Sequence, residues 1–118
     1  MINVEFELEK LREILNIERF SEQLKRELYL LAIDTQNKAR ILVPVRTGSL
    51  RRSIQATDVN TITEGLKVDV RANMPYAGFV EYGTEKMSPR PYLTPASEEA
   101  FEKFVGRVRD MLTSGGGA

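Results

Sequence analysis

Apolar and polar residues alternate from the start of the chain. Ile2, Val4 and Phe6 interleave with Asn3, Glu5 and Glu7, the period-2 pattern of a half-buried strand. Leu8, Leu11, Ile14 and Leu15 then shift to helical spacing, which predicts a short helix; Asn16 ends it or caps the next one. Phe20, Leu24, Leu28, Leu31, Thr35, Ala39 and Leu42 follow at intervals of three and four. They predict one long amphipathic helix, about 30 Å or more in length. Pro44 stops it, because the residue before a proline disfavours the helical region. Core packing is the plain reading of this stripe. Leu30, Ile33 and Ile41 widen it, so the second reading has part of the helix packing against another subunit.

The segment VPVRTGSLRRSI predicts a short helix over 48–54, with Thr47 as its cap and Leu50 and Ile54 facing inward. Arg46, Arg51 and Arg52 are then left outside. Leu66, Val68, Val70 and Ala72 alternate with Lys67, Asp69 and Arg71, a strand with one wet face. A strand over 55–59 is expected to pair with it as an antiparallel hairpin through the turn region 60–65. Thr94-Pro95 reads as the N-cap and first position of a last helix, whose stripe is Phe101, Phe104, Val105, Val108, Met111 and Leu112. Glu98 and Glu99 near its start and Arg107 and Arg109 near its end suit the helix dipole. The expected fold is α+β, the long helix and the C-terminal helix packed on a small antiparallel sheet. It forms one domain over 1–113, followed by a disordered glycine-rich tail over 114–118.

Composition narrows the chemistry mainly through what is missing. The 118 residues contain neither cysteine nor histidine, which removes disulfides, thiolate nucleophiles, Cys/His zinc sites and Ser-His-Asp catalysis. Lys plus Arg and Asp plus Glu number 17 each, for a net charge of zero, so the chain lacks the overall basic balance of a nucleic-acid binder. No apolar run reaches the roughly 20 residues that span a bilayer. The acidic start MINVEFELEK has no secretory layout, and synthesis in the cytoplasm is the expectation.

Glu81 and Glu85 invite a two-carboxylate hydrolase reading, but they are sequence neighbours with no polar constellation around them. Phosphate-loop and dinucleotide motifs are absent, and Asp34, Asp58, Asp69 and Asp110 are too scattered for an oxygen-only metal site. Neither an enzyme nor a cofactor is expected. Arg46, Arg51 and Arg52 could touch phosphate. On one monomer they read more plainly as a solvated face, although a ring would repeat them around a channel.

The stretch YAGFVEYGTEKMSPRPYLTPA, residues 76–96, is the most informative. Tyr76, Phe79, Val80 and Tyr82 cannot all hide on one side of a single short segment, and Glu81 sits among them. Two readings remain open for this acid: it pairs with an arginine of an adjacent subunit, or it anchors the local backbone as a cap or merely faces solvent while the rings complete the intrachain core. Candidate donors to it are backbone amides, Thr84 and Arg90. The expectation is that Glu81→Ala harms assembly more than the helical signal. Gly78 and Gly83 fit a tight bend or close approach.

Three separated blocks carry a resemblance over essentially the whole chain. The first is Pro44, Val45, Thr47, Gly48, Leu50, Ser53 and Ile54; the second is Tyr76, Ala77, Val80, Glu81, Gly83 and Thr84; the third is Pro91, Leu93, Pro95 and Ala96. In this order the chain resembles the small neck or tail-completion proteins of long-tailed bacteriophages. Tyr82 and Tyr92 stand where such proteins more often carry phenylalanine. The resemblance implies a non-enzymatic virion protein at the head–tail junction, acting as a homo-oligomeric ring with contacts to other neck and tail proteins and to passing DNA. It makes Pro44, Thr47, Gly48, Leu50, Tyr76, Phe79, Glu81, Tyr82, Gly83, Thr84, Pro91 and Leu93 the candidate assembly or structural positions. Arg46, Arg51 and Arg52 are the candidate DNA-facing ones. The alternative is a small nucleic-acid-binding module that uses the same three arginines.

Overall fold

The computed structural model describes residues 2–7, 21–44, 48–56 and 67–113. In chain order the elements are β1 (Ile2–Glu7), α1 (Ser21–Leu42), α2 (Gly48–Ser53), β2 (Ile54–Ala56), β3 (Lys67–Ala72), α3 (Ala77–Tyr82) and α4 (Leu93–Thr113). The fold is α+β, as expected: long helices lie on a small antiparallel sheet.

The sheet has strand order β1-β3-β2, and both pairings are antiparallel. Val4 lies opposite Val70, Phe6 opposite Val68 and Ile54 opposite Ala72. The period-2 alternation puts Phe6, Ile54, Val68, Val70 and Ala72 into the core. The other face is polar, with Asn3 and Arg71 both donating to Asp69 Oδ2 (3.4 and 2.7 Å).

α1 buries Leu24, Leu28, Leu31, Thr35 and Ala39 completely, as their spacing predicts, with Ala32 beside them; Leu42, expected to end the stripe, is instead 38% exposed, and Phe20 lies outside the described residues. Thr35 tolerates burial because its hydroxyl donates to the Leu31 carbonyl one turn back (2.8 Å). α1 also covers the outer edge of β2. Gln36 Oε1 accepts the Ala56 N–H (2.9 Å), and Arg40 donates to the Ile54 carbonyl through Nε and Nη2 (3.1 and 2.6 Å). An edge strand that would otherwise offer free backbone groups to other chains is thereby blocked. α4 runs antiparallel to α1: Lys38 meets Glu99, and Arg107 meets Glu27 and Asp34. Glu99 and Arg107 thus serve pairing with α1 rather than the dipole, because α4 has no acid in its first turn and no base in its last: Glu98 and Glu99 come after the one, and Arg107 and Arg109 before the other.

Three boundaries differ from expectation. Ile54 faces the core four residues after Leu50, but as the first residue of β2 rather than the end of a helix. The hairpin strand begins at Ile54 instead of Gln55, and 57–66 lie outside the described residues. α4 begins at Leu93, so Thr94-Pro95 is already inside it. The expected short helix around 8–15, the Thr47 cap and the tail 114–118 also lie outside the described residues.

Candidate functional site

The most unusual local structure is the junction of α3, the reversal after it and the start of α4. α3 starts as Ala77 N–H donates to Met74 O and the Phe79 and Val80 amides donate to Tyr76 O. It is six residues long, and Gly78 brings its backbone close to the sheet, since a Cβ there would sit 3.2 Å from Ile2 Cγ2. At that length it has almost no intrinsic stability, and its surroundings must hold it in place.

Gly83 ends α3. Its φ of 77° and ψ of 177° lie in a region open essentially to glycine alone. An added Cβ would fall 2.8 Å from Met87 O and from Pro89 N. The chain then reverses: Thr84 and Met87 pair through both backbone bonds (2.8 and 3.3 Å), and Thr84 Oγ1 accepts the Lys86 N–H (3.2 Å). Residues 84–91 are all exposed. The chain returns with Arg90 N–H donating to Val80 O (2.8 Å).

Glu81 is 3% exposed, and its carboxylate is fully engaged by this chain's own backbone. Oε1 accepts the Tyr92 and Leu93 amides (3.0 and 2.8 Å), and Oε2 accepts the Thr94 amide (3.1 Å). Pro95, next in line, has no N–H. The four donors that a helix start leaves without an intrahelical partner are thereby accounted for, three by one carboxylate and one by proline chemistry. A negative group at that end also complements the helix dipole. Glu81 is therefore the N-cap of α4, supplied from another helix. Of the two readings left open for it, the local anchor is the one the geometry contains. The Tyr92 hydroxyl adds a second staple, donating to Ala77 O (3.0 Å). Burial pushes the Tyr92 phenol above its usual range, with the Glu81 carboxylate adding to the effect.

The rings divide as a short segment must divide them. Val80 is buried and Tyr76 half-buried, while Phe79 and Tyr82 stand 57% and 71% exposed on the outside of α3. Met87, 41% exposed, follows in the reversal. Two aromatic side chains are thus held outward on a helix that is locked from behind.

The second and third sequence blocks form this one unit, with Leu93 buried, and Thr84 and Pro91 exposed. The first block is only partly involved. Leu50 is fully buried on α2, which packs on β3, and Pro44 is half-buried just past α1. Of the three arginines, only Arg51 and Arg52 are among the described residues. Arg46 lies outside them; Arg51 is half-buried, with a buried Nε that has no hydrogen-bond partner; Arg52 is exposed and donates to Ser49 Oγ (3.3 Å). Sequence reasoning passed over the roles of Tyr92, Gln36 and Arg40. The last two sit four apart on α1, one residue after Thr35 and Ala39 of the buried stripe, a spacing that could have marked them as edge covers. No cluster of three or more metal-ligating side chains occurs among the described residues.

No curated protein matches the chain. No solved structure matches it either. A family model does, over residues 4–83, more than half of the chain, and it spans the first block and all of the second except Thr84 but stops before the third. Its description is "Bacteriophage HK97-gp10, putative tail-component". The buried Glu81 and the required Gly83 are near the end of the matched region, and the chain belongs to this HK97-gp10-like family of phage tail-component proteins.

Proposed function

We propose that the chain is a structural virion protein that acts without catalysis in head–tail joining or tail completion, through ring-like self-assembly and contacts with neighbouring neck and tail proteins. The observation that carries this reading is the pair Phe79 and Tyr82, exposed on α3 while Glu81 and Tyr92 fix that helix from its buried side. Rigid aromatic side chains with few rotatable bonds are typical anchors of protein interfaces, and fixing them beforehand lowers the entropic cost of association. Membership in a tail-component family supports a virion location. No described helix is long and apolar enough to cross a membrane. Passing DNA would be met by Arg52 and by Arg46, if these line the channel of the assembled ring.

The test is genetic and visual. Phage lacking this gene should accumulate filled heads and separate tails, and the wild-type gene supplied in trans should restore joined particles. Joined, infectious particles in its absence would contradict the reading.

A further inference from the structure

α4 carries a second exposed surface that the junction does not use. Beside its buried stripe of Leu93, Ala96, Ala100, Phe104 and Val108, the side chains of Glu98, Phe101, Glu102 and Val105 run along one flank. Phe101 and Val105 are 39% and 36% exposed, although the Phe101 ring stacks on Phe6 (centroids 6.2 Å apart). Glu98 and Glu102 are both exposed, and among the described residues neither has an ion-pair partner; Glu99, between them, is taken by Lys38 and Lys103. This flank is apolar with an acidic border at Glu98 and Glu102, and the exposed Arg109 one turn past Val105 offsets one of these two charges.

The outer side of α3 has the opposite border. Phe79, Tyr82 and Met87 are exposed, and the reversal that follows them presents Lys86 and Arg90, exposed and likewise without an ion-pair partner among the described residues. Glu85 offsets only one of these two charges. One molecule thus displays an apolar patch edged by two free cations and an apolar flank edged by two free anions.

We infer that the α3 patch of one copy docks on the α4 flank of a second copy, with Lys86 and Arg90 against Glu98 and Glu102. The inference rests on the assembly reading above and gives it a surface. Unlike patches make a head-to-tail contact, in which each copy offers its cationic patch to one neighbour and its anionic flank to another; such contacts close into rings when the rotation allows. The charges set orientation and speed of encounter, while the rings and Val105 supply the desolvated centre.

Two variants test this: Lys86→Glu with Arg90→Glu, and Glu98→Lys with Glu102→Lys. All four positions are exposed, so circular dichroism should match the wild type in both. In sedimentation velocity at low salt the wild type should self-associate, and each variant alone should associate at least about tenfold more weakly because like charges now meet. An equimolar mixture of the two should associate again, since the acidic patch of one then faces the basic flank of the other. Variants that associate like the wild type, a mixture that stays monomeric, or a wild type that never self-associates would each overturn the contact. Incorporation of the same variants into virions separates the two readings. Normal incorporation with no charge dependence sinks this contact and leaves the virion role standing, whereas a wild type absent from virions sinks the role itself.

Discussion

Replacing Glu81 by alanine should destabilise the fold itself. The substitution leaves three amides at the start of α4 without their acceptor, and those of Tyr92 and Leu93 are on buried residues that water cannot easily reach. An ordinary N-cap deletion costs about 0.5–2 kcal/mol. A buried, unsatisfied polar group costs about 1–3 kcal/mol. With two such amides, a third that can rehydrate, and the lost charge at the helix start, about 2–5 kcal/mol is expected, a large fraction of the roughly 5–15 kcal/mol that holds a small domain together. Glu81→Gln should fall between, since one carbonyl oxygen still accepts two amides while its NH2 group is placed against the Thr94 N–H. Urea unfolding of the three proteins measures the order wild type, Gln, Ala. Amide hydrogen exchange at Tyr92, Leu93 and Thr94 should accelerate in the same order. An alanine variant within half a kcal/mol of wild type, with those three amides still protected, would refute the capping role. The same result bears on the earlier expectation that the loss would show mainly in assembly: the geometry places the first damage in the fold.

Other substitutions separate the remaining contributions. Leu28→Ala removes a fully buried side chain of α1 and should cost about 2–5 kcal/mol in denaturant unfolding, a loss below half a kcal/mol being the contrary result. Gly83→Ala should cost about 1–3 kcal/mol or more, because both its backbone angles and the 2.8 Å approach to Met87 O exclude a side chain; unchanged thermal unfolding would show that the reversal can relax. The raised Tyr92 phenol means that the folded state favours the neutral form, so its contribution is complete below the ordinary tyrosine pKa of about 10 and is lost as pH rises above it. Tyr92→Phe should therefore lower stability at neutral pH and flatten the alkaline decline, as measured by urea midpoints between about pH 8 and 11.

Much of the fold was legible because periodicity depends on local geometry. The stripe through Leu24, Leu28, Leu31, Thr35 and Ala39 and the alternation at Val68, Val70 and Ala72 each have one arrangement that buries their apolar side. Boundaries were less legible. Thr94-Pro95 looks like a helix start by its own chemistry, yet the helix begins at Leu93, because a carboxylate 12 residues upstream satisfies the Leu93 amide. A cap that arrives from another helix leaves no mark in the residues next to the helix it caps. The position of Glu81 among apolar neighbours was visible as an anomaly, and buried charges do require partners, but which partner depended on the reversal at Gly83. The outward pair Phe79 and Tyr82 was legible as an excess of rings over what one side of a segment can hide. The half-burial of Arg51 was not legible: its sequence neighbours do not show that its Nε is buried while Arg52 stays exposed.

The central claim is that α3 is held from within so that its outer rings can serve assembly. It is tested most directly by Phe79→Ser combined with Tyr82→Ser, scored as plaque-forming titre when the variant gene complements a phage lacking this protein, alongside thermal unfolding of the purified variant. Both side chains are more than half exposed, so the unfolding curve should be unchanged while infectious, joined particles are lost. A wild-type titre from the folded double variant would contradict the account.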